Sequence, residues 1–192
     1  MLSSINPLGE RTRGQRFWVT VSWYVAGSAV GGIILGGLGG ILGSWLPAGN
    51  WRLVAVIPVC LVGAVLDLAG KPPPSIHRQV DENWLSRYRG WVYGLGFGLQ
   101  LGFGIVTIVT TASVYTLVAV AVLVGSPLMG AMVGGVFGMA RAVAIIRVSR
   151  AYDPGSLRNA LRRLQPRVVS ATRFAVGAQL LIGVIAAGLV IL

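Results

Sequence analysis

Asp67 and Arg141 stand inside long apolar stretches of this 192-residue chain. An ionisable side chain in such a setting is costly to bury and is a functional candidate by default. Both lie toward the same end of their stretches, so an intramembrane ion pair is expected, with snorkelling to a nearby interface as the competing explanation. Uncharged polar groups form a second set. Tyr93, Gln100, Thr107 and Thr111 follow approximate helical spacing along one apolar run, with Gly96 and Gly104 in the same stripe, and Gln179 adds a second amide on another. Such groups either line a solute path or hydrogen-bond between helices, at about 0.6 kcal/mol each. Catalytic constellations lack parts. His77 and Cys60 are the single histidine and cysteine, which is too few for a metal cluster, a dithiol or a Cys-His pair. No catalytic residue, metal or cofactor is expected, and the chain is not read as an enzyme.

The elements that must position these groups follow from composition. Hydrophobic residues make up 55% and charged residues 11% of the sequence, and the mean hydropathy is +0.77. The charges are bunched between neutral stretches. A hydrocarbon core of roughly 30 Å needs about 20 apolar residues in a helix, with every backbone group paired internally. The alternation of a membrane barrel is absent. The fold class is therefore all-α, a polytopic membrane helix bundle in one domain. Five transmembrane helices are expected, at about 17–46, 51–70, 91–112, 114–146 and 168–192. The fourth run is over-long and interrupted at Ser126-Pro127, which predicts a proline-kinked helix; a re-entrant segment over 114–124 is the alternative.

Basic residues cluster before the first run (Arg11, Arg13, Arg16), between the second and third (Lys71, Arg78, Arg87, Arg89), and between the fourth and fifth (Arg147, Arg150, Arg158, Arg162, Arg163, Arg167). The positive-inside rule then places the N-terminus in the cytoplasm and the C-terminus outside a cytoplasmic (inner) membrane. Splitting the fourth run into two crossings would move the last cluster outside. The first run is too long for a cleavable signal and is read as an anchor. The net charge of +11 is thereby topogenic, facing anionic headgroups of the lipid bilayer rather than nucleic acid. Two cytoplasmic connectors look amphipathic. Ile76, Val80, Trp84 and Tyr88 fall four apart in 75–88, and Leu157, Leu161 and Leu164 oppose Arg158 and Arg162 in 153–165. Both suit a membrane surface.

Glycine recurs every fourth residue on three runs: Gly32, Gly36 and Gly40; Gly94, Gly98 and Gly102; Gly130, Gly134 and Gly138. Lipid offers no hydrophobic drive for helix association, so such faces pack by close van der Waals contact. They predict a tight bundle, a homo-oligomer or a contact with another integral membrane protein.

The succession FWVTVSWYVAGSAVGGIILGGLGGILG, a short turn, WRLVAVIPVCLVGAVLDL and then YGLGFGLQLGFGIVTIVTTASVY resembles the second to fourth helices of the membrane domain of the DsbD and CcdA thiol-electron carriers. On that likeness the chain is a cysteine-poor relative lacking the first helix. Those carriers place a cysteine in each half, whereas the corresponding stretch here reads Leu99-Gln100-Leu101-Gly102, so no redox residue carries over. The wider group with the LysE and TauE exporters implies small-solute or anion transport. Two functions follow as expectations. The first is a transporter or exporter with Gln100, Thr107 and Thr111 along its path and Asp67 and Arg141 at its inner end. The second is a non-catalytic membrane subunit or assembly factor.

Overall fold

The structure is a computed structural model, and it describes residues 5–70, 84–104, 111–146, 155 and 167–191. Among these the regular elements are all helical: α1 (Pro7–Thr12), α2 (Phe17–Ser44), α3 (Trp51–Leu68), α4 (Trp84–Arg87), α5 (Gly90–Phe103), α6 (Ser113–Val124), α7 (Pro127–Ile146) and α8 (Arg167–Ile191). Three are long and apolar enough to cross a membrane, namely α2, α3 and the stretch Ser170–Val190 of α8.

The axis of the molecule is α2, 28 residues and so about 42 Å long. Its buried positions are mostly small or polar, including Thr20, Ser28, Gly32, Gly36 and Gly40. Its large apolar side chains Trp18, Trp23, Ile33, Leu38 and Leu42 point outward. That distribution suits a lipid surround, where close backbone approach takes the place of an apolar core.

Two helices use the small faces of α2. Along one side α5 runs in the same direction, with Gly94, Gly98 and Gly102 set against the carbonyls of Thr20, Tyr24 and Ser28; a Cβ on Gly102 would stand 2.0 Å from the Ser28 oxygen. Along the other side α7 runs antiparallel. Gly130 meets Gly36, Gly134 meets Gly32 and Gly138 meets Ser28, again with backbone oxygens 2.0 to 2.2 Å from where a Cβ would lie. Ser28 Oγ donates to the Gly138 carbonyl at 2.7 Å, joining the two helices at mid-height. Gly40 packs on Ser126 and Pro127. The glycine columns are thus used within the chain, as in the tight bundle among the alternatives that they predict, with a neighbouring backbone of this chain against each.

The helix boundaries also differ from expectation. The run 91–112 is not one helix, because α5 stops at Phe103. Gly104 has φ +65, and its N–H turns back to the carbonyls of Gln100 and Leu101 at 3.3 and 3.2 Å. The chain resumes as α6, which lies further along α2: Val114 and Leu117 pack with Leu35, and Ala121 and Val122 reach Gly39 and Gly43. Since α5 ends beside Gly31, the two helices follow one direction with an interruption level with the middle of α2. The proline-kinked helix over 114–146 is replaced by two helices. Gly125 closes α6 in the left-handed region, Pro127 opens α7 at a position where its missing N–H costs nothing, and the chain reverses. The disruptive residue is the glycine; the proline starts a helix rather than bending one.

Outside this core α3 and α8 pair antiparallel. Val56, Cys60 and Ala186 share a small cluster, and Gly63 meets Gln179. Arg52 clasps the end of α2 by donating from Nε to Pro47 O at 3.0 Å and from Nη2 to Gly43 O at 2.9 Å. Of the predicted connectors, 75–88 is described only from Trp84, whose ring stacks on Phe97 of α5 at 6.3 Å. Apart from Gly155, 153–165 lies outside the described residues.

Candidate functional site

The interruption between α5 and α6 gathers the chemistry-bearing side chains. A helix that stops inside a bundle exposes unpaired carbonyls and a partial negative charge at its C-terminal end; one that starts there exposes N–H groups and a partial positive charge. Each end has an oppositely charged side chain. Arg141 of α7 donates from Nη1 to the Leu101 carbonyl at 2.8 Å, its guanidinium also lying 5.7 Å from the Phe137 ring centre. Asp67 of α3, only 7% exposed, accepts the Ala112 N–H on Oδ1 at 2.5 Å and the Ser113 hydroxyl on Oδ2 at 3.4 Å. Asp67 and Arg141 therefore hold different helix ends rather than each other. Both act near the middle of α2 and not at either of its ends, because α3 descends to the level where α6 begins.

Gln179 of α8 completes the arrangement. Its Nε2 donates to Asp67 Oδ2 at 3.0 Å, so its partner is the carboxylate and not the Gln100 amide. The other amide atom, Oε1, is buried without a hydrogen-bond partner among the described residues. Thr116 of α6 donates from Oγ1 to the Ala112 carbonyl at 3.3 Å. Gly63 of α3 lies between these groups: a Cβ there would stand 2.2 Å from Thr116 Oγ1 and 3.0 Å from Gln179 Oε1. Gly63 and Thr116 also line a largely apolar cavity of about 340 Å³ between α3 and α6, walled by Pro58, Val62, Leu66 and Ala119.

Of the remaining predicted residues, Gln100 is half-buried on α5. Thr111 Oγ1 lies 3.2 Å from the Ser113 Oγ, and Thr107 lies outside the described residues. Tyr93 faces a different centre, which the sequence reading missed. Glu10 of α1 is fully buried and accepts on Oε2 from Tyr93 at 2.5 Å and Thr20 at 2.6 Å, while Arg13 pairs with Oε1 at 3.2 Å. Asn6 caps α1 by accepting the Gly9 N–H at 2.8 Å, and Ile5 inserts beside Phe17, Tyr24 and Phe97. The available signal was the string Asn6-Pro7 with an acid three residues on, a helix start in a chain with five acids. Cys60 is wholly buried between α3 and α8. Among the described residues no three His, Cys, Asp or Glu side chains gather to hold a metal.

Large apolar side chains outward, glycine backbones inward and charged groups at the ends of an interrupted helix define a membrane-associated helical bundle. No family model and no solved structure matches the chain. Its sequence is similar to proteins named methylamine utilization protein MauF. The one from Methylophilus methylotrophus is 32% identical over 75% of this chain and 53% of its own length. Those from Paracoccus versutus and Paracoccus denitrificans are each 28% identical over 75% of this chain, and over 55% and 54% of their own lengths. The chain spans about half the length of these curated relatives. This similarity overturns the likeness to the DsbD and CcdA membrane domain and to the LysE and TauE exporters, together with the missing first helix inferred from it. Glycine spacing and span order, which carried that likeness, are general packing features of membrane helices and do not discriminate families.

Proposed function

We propose that this chain is a non-catalytic membrane component that assists methylamine utilisation, as a subunit or assembly factor working with another protein. The observation that carries this is the shared name of its relatives at 28 to 32% identity. The site geometry agrees with it. Arg141, Asp67 and Tyr93 are engaged in holding helix ends and the N-terminal segment, which is the work of a scaffold. The transport reading loses its first place, since it rested on the overturned exporter likeness.

In this reading the chain crosses the inner membrane five times, by α2, α3, the pair α5 and α6 together, α7, and α8, with its N-terminus in the cytoplasm. The parallel course of α5 and α6 along α2 and the return of α7 support that count, and the basic clusters at one end support the orientation. Deleting the chain from its host and growing the strain on methylamine or on ammonium as nitrogen source tests the proposal. Growth on methylamine is expected to fail and to return on complementation, while growth on ammonium is unaffected; equal growth on both would refute it.

A further inference from the structure

Around Gly63 two oxygens from neighbouring helices converge, Thr116 Oγ1 and Gln179 Oε1, with the Asp67 carboxylate joined to them through Gln179 Nε2, and the unused capacity of all three side chains is for accepting hydrogen bonds. Gln179 Oε1 is buried with no donor among the described residues, in a residue only 3% exposed. Thr116 spends its single hydroxyl hydrogen on the Ala112 carbonyl and keeps lone pairs. Asp67 receives three donors, whereas a carboxylate offers about four lone-pair sites. An orphaned acceptor at this depth carries a desolvation cost that a bound donor would relieve. Arg141 does not relieve it, being committed to the C-terminal end of α5.

We propose that Asp67, Gln179 and Thr116 bind the head of a small primary ammonium ion, whose alkyl substituent rests in the cavity between α3 and α6. A primary ammonium brings three N–H donors, one for each acceptor, and a positive charge for the carboxylate. The apolar wall of Pro58, Val62 and Leu66, with the Tyr115 ring beside them, suits a short alkyl group. A divalent metal ion would ask for six or more oxygens. The choice of a methyl substituent rests on the methylamine reading above; the acceptor geometry does not.

The test is calorimetric titration of the full chain in lipid nanodiscs with methylammonium chloride, against tetramethylammonium and sodium chloride at equal ionic strength. Saturable binding of one methylammonium per chain is expected, with no competition from the other two ions. Gln179→Leu and Thr116→Val should each weaken it by about tenfold or more, the worth of one hydrogen bond to a charged group. Each variant is first checked by circular dichroism and its unliganded melting temperature; if Gln179→Leu does not fold, Thr116→Val carries the test. Absence of saturable binding, equal binding of tetramethylammonium or sodium, or unchanged affinity in the folded variants would overturn the proposal. Growth of the deletion strain reports on the accessory reading regardless of this result, so the two can fail separately.

Discussion

At the scale of single residues, the two described acids of this chain, Glu10 and Asp67, are both buried and both bind donors from other elements. Glu10 fastens the N-terminal segment under the bundle. Glu10→Ala would take from Tyr93, Thr20 and Arg13 the buried carboxylate that they share and is expected to cost about 3 kcal/mol or more. Tyr93→Phe removes one donor and should cost about 1 to 3 kcal/mol. Limited proteolysis in nanodiscs checks both: cleavage within the first sixteen residues should accelerate strongly in the alanine variant and mildly in the phenylalanine one. Asp67 was legible in the sequence as an ionisable group in an apolar run, but its partners were not. Pairing it with Arg141 assumed that sequence distance from a span's end measures depth. That assumption fails where a neighbouring helix is interrupted, because the interruption creates a counter-charge from backbone alone.

At the scale of elements, the glycine columns were readable from a period of four, and the structure seats those of α5 and α7 against α2. Their partners could not be read, since a small face fits any other small face. Gly36→Ala would push a methyl to 2.0 Å from the Gly130 carbonyl; overpacking of about 1 to 3 kcal/mol is expected, and Gly36→Leu should prevent assembly. Gly37→Ala is the contrasting case, because its Cβ would meet Ala131 Cβ at 3.7 Å and the Pro127 carbonyl at 3.9 Å, both ordinary contacts, and it should be tolerated. Melting temperatures of the three variants in nanodiscs decide between them. The interruption itself was hidden for a physical reason: residues 105–112 are as apolar as any span, and hydropathy measures transfer into lipid, not continuity of helix. Gly104 and Gly125 were the informative positions, as left-handed residues at helix ends, but in a chain with 28 glycines they do not stand out. Removing the charge at one end tests its role there. Arg141→Met should destabilise the bundle by about 1 to 2 kcal/mol, read as a lowered melting temperature; no change would mean that the α5 terminus needs no cation.

At the scale of the whole molecule, the solvent and helical class were legible because composition alone excludes a water-facing fold. Function was not, since packing glycines and capped helix ends are common to transporters, subunits and assembly factors alike. The proposed five-crossing topology, with its N-terminus in the cytoplasm, predicts that a cysteine placed at Ser149, in a Cys60→Ala background, is protected from an impermeant maleimide in intact cells and reacts once the membrane is opened. The central claim is that the chain supports methylamine utilisation as a component rather than as a conduit. Methylamine consumption by cell-free extracts, where no membrane barrier limits access, tests this most directly. Extracts of the deletion strain are predicted to have lost most of the consumption shown by the complemented strain. Full consumption in extracts, with a defect confined to intact cells, would contradict the claim and restore transport.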